Sequence, residues 1–592
     1  MNAPIADAMK FYSSDQALAF HTPGHKQGLG AHRLLSDLIT TEGLRQEVSL
    51  MDELDDLHDP RGCIDHAQRL AAKLWHADHT IFFINGTTAA VQTMILSSVG
   101  EGDIIFVPRN AHRCVNSALV LSGARPIYLA PDFDPDFDIA LNVSIETVRR
   151  AIEKYPNARA LVLTSPNYYG VAADLTSIAE LVHRHGMLLL IDEAHGTHLQ
   201  FSDRLPPSAM DSGADMSAQS THKLLGSLTQ TSMLMIKSAR VDVERVRRVS
   251  SMLQSTSPNY LLLASLDIAR LQLEENGEAL INGAVELSER LRESIRSIDG
   301  LRLFDRPSLD PTKITVDVRG LGLTGLEAEK ILRHRLKIQC ELSDPANVLF
   351  LITYADNQIV ADRLIAALQS LKDLSFGDGQ KEKKFWAPST PPPTSDGARL
   401  RTACPPASTA PMTPQQAFYS STTTVPLRQS IGQKGRRRCG ATKLLPPARL
   451  LKPLPCGQKG RRLRGATNLI SPARLKGRRL RGWEPRTLLG AAFGGWERRR
   501  RPKNFLSPPA STAPMTPRQA FYSSTSTVTL RQSIGKICAE EITFYPPGIP
   551  ILCPGEAITS EIVASIEENL ALGRRIVGAA DNSLSTVKVI KE

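Results

Sequence analysis

Met187-Leu-Leu-Leu-Ile-Asp-Glu-Ala-His195 is an apolar run that ends in charged and aromatic residues, and Ser220-Thr-His-Lys223 follows with its lysine 31 residues beyond Asp192. A run this short, closed by a carboxylate, reads as a strand buried on both faces, with its functional group delivered at the strand's end. Lys223 precedes a second apolar run, Thr-Ser-Met-Leu-Met-Ile to Ile236. Desolvation beside such a strand lowers a lysine's pKa and leaves its amine nucleophilic.

Outward from this stretch the pattern repeats. Short apolar runs at 80–84, 104–107, 126–129, 160–164, 187–191 and 231–236 alternate with segments of helical periodicity. An α/β domain with a mostly parallel sheet is expected. A long amphipathic helix over 258–298 then leads to a smaller α/β unit: strand 313–318, helix 326–335, strands 337–341 and 348–353, helix 358–371. Two further places repeat the strand-end theme. Asn85-Gly-Thr-Thr88 follows one strand and opens a helix, which makes a phosphate cradle from Gly86, Thr87 and Thr88. Arg109-Asn-Ala-His-Arg113 follows another strand, so that the His112 imidazole is available to stack on a flat ring. Asp192 at its strand's end can pair with a protonated pyridine nitrogen and make that ring an electron sink. All four elements point to one sheet edge, where open α/β sheets bind ligands.

Asp192-Glu-Ala-His195 also spells a helicase box, but the chain has no G-x-x-x-x-G-K-[ST] phosphate loop upstream of it, which excludes that reading.

The formal charge of +11 comes from one segment. Residues 433–535 carry 24 Lys or Arg against two acids, Glu484 and Glu497, leaving 47 basic and 58 acidic residues elsewhere. The 28 residues from Pro405 recur from Pro508, differing only at Gln415/Arg518, Thr423/Ser526 and Pro426/Thr529, a period of 103 residues. Within that period a Gly-Gln-Lys-Gly-Arg-Arg phrase repeats at Gly432 and Gly457. Such Arg, Gly and Pro repeats bury little apolar area, so disorder is expected over 433–535. A translated repeat interrupting an ordinary gene in frame explains it best, because removing one period leaves a seamless chain of 489 residues. The competing reading is an RNA-binding arm.

Eight cysteines without C-x-x-C or metal-finger spacing point to reduced thiols and to no metal site. The N-terminus has no signal-peptide pattern and no apolar run approaches membrane-spanning length, so a cytoplasmic protein is expected.

Together these motifs resemble the fold-type I ornithine/lysine/arginine decarboxylases in their short form. The resemblance rests on His21-Thr-Pro-Gly-His-Lys-Gln-Gly28, Asp52-Glu-Leu-Asp-Asp-Leu-His-Asp59, Asn85-Gly-Thr-Thr88, Ile191-Asp-Glu-Ala-His195, Ser220-Thr-His-Lys223, Tyr545-Pro-Pro-Gly-Ile-Pro550 and Pro554-Gly-Glu556. It covers residues 1 to about 430 and 536 to 592. It implies pyridoxal 5'-phosphate attached to Lys223, with Asp192 at the pyridine nitrogen and His112 on the ring. Gly86, Thr87, Thr88, Ser220 and His222 would surround the phosphate, with His195 near the ring. It also implies a homodimer with sites at the subunit interface, and a basic amino acid decarboxylated to its amine, feeding polyamine metabolism. The runner-up on the same scaffold is an aminotransferase. For the substrate's distal cation the candidates are Glu540 or Glu541, with Asp52, Glu53, Asp55 and Asp56 as a second group. The expected organisation is a large cofactor-binding domain at 1–300, a small domain at 301–375, a linker and start of the C-terminal domain at 376–432, the basic insert at 433–535, and the C-terminal domain at 536–592.

Overall fold

The computed structural model describes residues 2–15, 17–237, 239–377, 513–545 and 548–591. The described residues fall in a unit formed by Met1–Trp386 with Arg500–Glu592. The expected linker at 376–432, apart from 376 and 377 at the end of the helix Gln358–Gly377, and most of the basic insert lie outside the described residues.

The large sheet is built from β1 (His79–Phe83), β2 (Ile104–Pro108), β3 (Arg125–Leu129), β6 (Ala160–Thr164), β7 (Leu188–Asp192), β8 (Met216–Gln219) and β9 (Ser232–Ile236); β4 (Phe133–Asp134) and β5 (Ile139–Ala140) form a separate small hairpin. The order is β1-β9-β8-β7-β6-β2-β3. Neighbours from β8 to β3 run parallel, and β9 is antiparallel to both β1 and β8. All six expected apolar runs are strands of this sheet, apolar along their length because both faces are covered. Phe82, Leu161, Leu163, Leu189 and Met233 enter one core, and Ile81, Phe83, Val162, Leu190 and Leu234 the other. The sequence reading missed β8, whose Met-Ser-Ala-Gln is too polar to register as a strand. All four of its residues are nevertheless buried, because β7 and β9 flank it.

The helix Tyr260–Arg296 links two cores. Its first half places Tyr260, Leu263, Leu266 and Leu273 against the large sheet, and after a kink at Asn276 it gives Leu287, Leu291 and Ile295 to a second core. That core covers the sheet β10 (Arg302–Leu303), β11 (Lys313–Asp317), β13 (Asn347–Leu351) and β12 (Leu342–Ser343), which is antiparallel throughout. The strand expected at 337–341 is displaced to the two-residue β12. Lys337, with φ of 59°, turns the backbone left-handed where an extended strand would begin.

The C-terminal part pairs β14 (Thr525–Thr529) with β18 (Thr586–Ile590), and β15 (Ile542–Tyr545) with β16 (Ile549–Leu552) and β17 (Arg575–Val577). Its core holds Ile542, Phe544, Leu552, Ile566 and Val587. The expectation of disorder therefore fails for 513–535. Thr516 and Gln519 form a capping box at the helix Pro517–Tyr522, and β14 supplies an edge to β18. The second copy of the repeat is part of this domain, so the C-terminal fold begins before residue 536. Arg109 joins it to the large domain: its guanidinium meets Glu556 at 2.9 Å and the Ile551 carbonyl at 2.7 Å, with every partner buried or nearly so.

Candidate active site

The parallel strands end at one edge of the large sheet, and the titratable groups gather there. Asp192 closes β7, in register with Thr164 of β6 and Ala218 of β8. Ser220 follows β8 directly and caps the single helical turn Thr221–Leu224, which carries Lys223. The antiparallel β9 returns the chain to this edge, with Ser232 opposite Phe83 at the end of β1.

Lys223 Nζ lies 3.0 Å from His195 Nε2 and 5.6 Å from the centre of the Tyr168 ring. Burial lowers its pKa, opposed by the nearby Asp192, Glu341 and Cys114. Asp192 is almost wholly buried, and among the described residues its carboxylate accepts one hydrogen bond, from the Ala194 amide at 3.2 Å. Burial raises its carboxyl, and Lys223 and that amide pull it back. His112 caps the helix Arg113–Ser122 through Nδ1, which accepts from the Cys114 amide. Burial, with Lys223 and Arg113 nearby, lowers its pKa to about 4, so the ring is neutral at pH 7. His195 is also held neutral: burial, then Lys223, Lys313 and His112, keep its pKa well below the ordinary range.

Gly86 opens the 13-residue helix Gly86–Ser98 with φ of 74°, and a Cβ built there would meet nothing within 4 Å. This is an open pocket at a helix N-terminus, bordered by polar hydroxyls. Thr87 Oγ1 is 2.5 Å from Ser220 Oγ and 3.0 Å from Ser232 Oγ, whereas the Thr88 side chain is exposed. His222 Nδ1 is bonded to the Thr231 carbonyl at 2.7 Å, which fixes its ring beside this turn.

These residues fit pyridoxal 5'-phosphate. The open helix N-terminus takes a dianion, the buried Asp192 with a single amide partner takes a ring N–H, the neutral His112 can face an aromatic ring, and Lys223 offers an amine. Glu193, the neighbour of Asp192, is structural: it accepts from the Ala209 amide, Ser217 Oγ and Gln219 Nε2.

The proposed substrate carboxylates do not join this cluster. Glu540 holds the amides of Ala580 and Lys588, each at 2.7 Å, within its own domain. Glu541 pairs with Arg113 at 3.3 Å and accepts from Thr543. Asp55 caps the turn into the helix Cys63–Leu74 by accepting from the amides of Arg61, Gly62 and Ile64, and Asp56 accepts from His58 N. Asp52 and Glu53 are exposed. The carboxylates beside the site that sequence reasoning missed are Asp138 and Asp344. They line a cavity with Asn110, Thr164, Tyr168 and Arg574. Tyr168 connects that cavity to the lysine cluster, its ring centre 4.9 Å from that of His195. Its position four residues after β6, at the same sheet edge, was the available signal. Lys313, 3.1 Å from His195 Nδ1, gave none: it lies in the other sheet.

Comparison with known proteins agrees with this architecture. Residues 3–308 match the family model described as Orn/Lys/Arg decarboxylase, major domain, and 501–572 match its C-terminal domain. The chain belongs to the Orn/Lys/Arg decarboxylase family. The second match also begins before residue 536, as the fold of 513–535 requires. Among relatives of this decarboxylase, the arginine decarboxylase of Bacillus anthracis is 34% identical over 597 residues, covering 100% of this chain and 97% of that one. The arginine decarboxylase of Bacillus cereus is 41% identical over 438 residues, covering 73% and 92% respectively. The solved lysine decarboxylase of Francisella novicida superposes with a TM-score of 0.70 at 20% identity, covering 100% of this chain and 81% of that one, a likeness of fold. The chain is an amino-acid decarboxylase by family, and no described helix is long and apolar enough to cross a membrane.

Proposed function

We propose that this decarboxylase removes the α-carboxylate of a basic amino acid, arginine, lysine or ornithine, as CO2 and releases the amine, using pyridoxal 5'-phosphate attached to Lys223. The observation that carries the reading is the meeting of a desolvated amine, a nearly unpartnered buried carboxylate, a neutral imidazole and an open helix N-terminus at one sheet edge. When bound, the cofactor supplies an electron sink for the pair left by the breaking Cα–carboxylate bond. Asp192 would face the ring nitrogen and favour a proton there, and that cation would offset the burial of its carboxylate. His112, held uncharged by burial, would offer its imidazole to the ring. The open space at Gly86, whose own amide donates to the Gln230 carbonyl at 2.8 Å, would admit the phosphate to the amides and hydroxyls of Thr87 and Thr88 and to Ser220, with His222 beside them. Lys223 would hold the cofactor and, as the protonated amine, would be the group that gives a proton from Nζ to Cα, so the reaction takes up one proton for each CO2 released.

The amine product, a diamine or agmatine, would feed polyamine formation. A homodimer completes the reading. Phe11, Leu18, Phe20, Leu29, Leu34 and Leu38 expose 69–91% of their surface in the N-terminal segment, an apolar area that a second copy would cover. The five described cysteines are free thiols, which supports a reducing cytoplasm.

The test is product analysis with the cofactor-loaded chain and each basic amino acid. CO2 and an amine in equal amounts from one substrate, with a loss of about 10³-fold or more in Lys223→Ala, is the expected result. A keto acid without CO2 would move the chain to the aminotransferases.

A further inference from the structure

The C-terminal motifs Tyr545-Pro-Pro-Gly-Ile-Pro550 and Pro554-Gly-Glu556 have no part in the chemistry proposed for the lysine cluster, yet both meet the turn that carries His112. That turn runs from Arg109, the residue after β2, to Arg113, the first residue of the helix Arg113–Ser122. At its start one Nη of Arg109 donates to the Ile551 carbonyl at 2.7 Å and to Glu556 at 2.9 Å, and the other to Cys553 Sγ at 3.3 Å. At its end the Arg113 amide donates to the Gly548 carbonyl at 3.3 Å, while the Arg113 guanidinium meets Glu541 at 3.3 Å. Asn116, in the next part of the helix, donates to Cys553 Sγ at 3.1 Å.

Glu556 is shaped for this contact. It is 5% exposed, and the oxygen that receives Arg109 also accepts from the Cys553 amide at 2.8 Å. Gly555 before it has φ of 92°, and a Cβ there would stand 2.4 Å from the Met515 carbonyl oxygen, so glycine is required to bring Glu556 into place. On the other side the Arg109 guanidinium lies 5.2 Å from the centre of the Tyr128 ring. A buried ion pair adds little net stability once its desolvation is counted. What the planar guanidinium adds is a fixed set of donor directions.

The large domain by itself holds only the first part of the turn. The Arg109 amide donates to the Leu129 carbonyl of β3 at 2.8 Å, and Asn110 Nδ2 to the Leu141 carbonyl at 2.9 Å. His112 comes after those anchors. Its Nδ1 caps the Cys114 amide, whereas the Arg113 amide, an orphan donor at the start of a helix, is satisfied from the C-terminal domain.

We propose that Arg109 is a positioning residue and Glu556 its anchor: the C-terminal domain clamps the turn Arg109–Arg113 at both ends and thereby sets where the His112 imidazole stands. The inference rests on the reading of His112 as the group that faces the cofactor ring. With the clamp in place the imidazole is ordered before the cofactor arrives. Without it cofactor binding has to order the turn, and affinity falls accordingly.

The test uses the full-length, cofactor-free protein with the paired substitution Arg109→Met and Glu556→Leu. An apolar pair of similar volume commonly keeps a buried site folded, where Glu556→Ala alone would strand the cation. Hydrogen–deuterium exchange in peptides spanning 109–118 should quicken about tenfold or more, and carbethoxylation of His112, read by mass spectrometry, should quicken with it. Added pyridoxal 5'-phosphate should bind about tenfold more weakly. Asp267→Ala, which breaks a different buried pair, is the control and should leave all three readouts of the folded protein at wild-type values. Exchange and His112 labelling unchanged in the paired variant would overturn the proposal, as would an equal rise in Asp267→Ala. A turn that loosens with no loss of cofactor affinity, in a chain whose wild type binds the cofactor, would overturn it too. If the wild type binds no cofactor, the reading of the site fails, while exchange and labelling still decide the clamp.

Discussion

Arg270 and Lys313 are both fully buried cations, and their surroundings differ completely. Arg270 directs Nε and one Nη to Asp267, the other Nη to Glu274 at 2.5 Å, and a further N–H to the Asn2 carbonyl, while Asp267 also accepts from the Ile5 amide at 2.9 Å. The bonds to Asp267 and Glu274 stay within the long helix Tyr260–Arg296, while the Asn2 carbonyl and the Ile5 amide join it to the start of the helix Pro4–Ser14. Among the described residues the Lys313 Nζ is hydrogen-bonded only to the imidazole of His195, which it shares with Lys223. A buried charge with all its partners in place cements the fold; one left short of partners keeps a proton or a ligand within reach. The second kind meets the candidate site through His195.

Substitutions at the two clusters should accordingly fail in different ways. The largest effect expected is Asp192→Asn, about 10³-fold or more in kcat/KM with weaker cofactor retention, because a neutral amide no longer favours the protonated ring. Its urea midpoint should hold or rise, since an uncompensated buried carboxylate is gone. Asp267→Ala should do the reverse. It leaves Arg270 buried with too few acceptors and costs about 3–5 kcal/mol in denaturant unfolding, with kcat unchanged in the protein that remains folded. Comparable activity losses in both variants would remove the distinction.

A smaller effect sharpens it. His112 titrates near 6.5 unfolded and at about 4 folded. The unfolded chain therefore binds more protons between those values, and stability falls as pH drops through that window. At pH 5 this amounts to about 2 kcal/mol. Cofactor-free His112→Asn, which keeps a helix cap but cannot titrate, should lose that share of the slope between pH 7 and pH 5 in urea titrations. The smallest effect is expected from deleting 405–507, one full repeat period. The retained copy supplies the helix Pro517–Tyr522 and β14, so kcat/KM should stay within about twofold, or 0.4 kcal/mol.

Much of the site was legible along the chain. Asp192, His112 and Gly86 each sit just beyond or at the end of a strand that an apolar run betrays, Lys223 comes shortly before another, and parallel strands in one sheet must end at one edge. The repeat misled where its composition was read as a block. Residues 513–535 share the phrase structure of the insert, yet Val528 and Leu530 pack on the C-terminal core. Glu540 was chosen for its charge and its place before a motif, and the backbone amides that occupy it come from 40 and 48 residues away.

What the sequence determined by itself was therefore the layered α/β architecture, the direction of its strands and the residues at their ends, because apolar period and strand-end chemistry are local properties. Only the tertiary structure decided that Lys313 reaches His195 across 118 residues, that Tyr168 lies between the lysines and the neighbouring cavity, and that Arg270 is fully satisfied. Those facts depend on how two sheets with separate cores are set against each other by the long helix, and no pattern within either segment encodes that meeting.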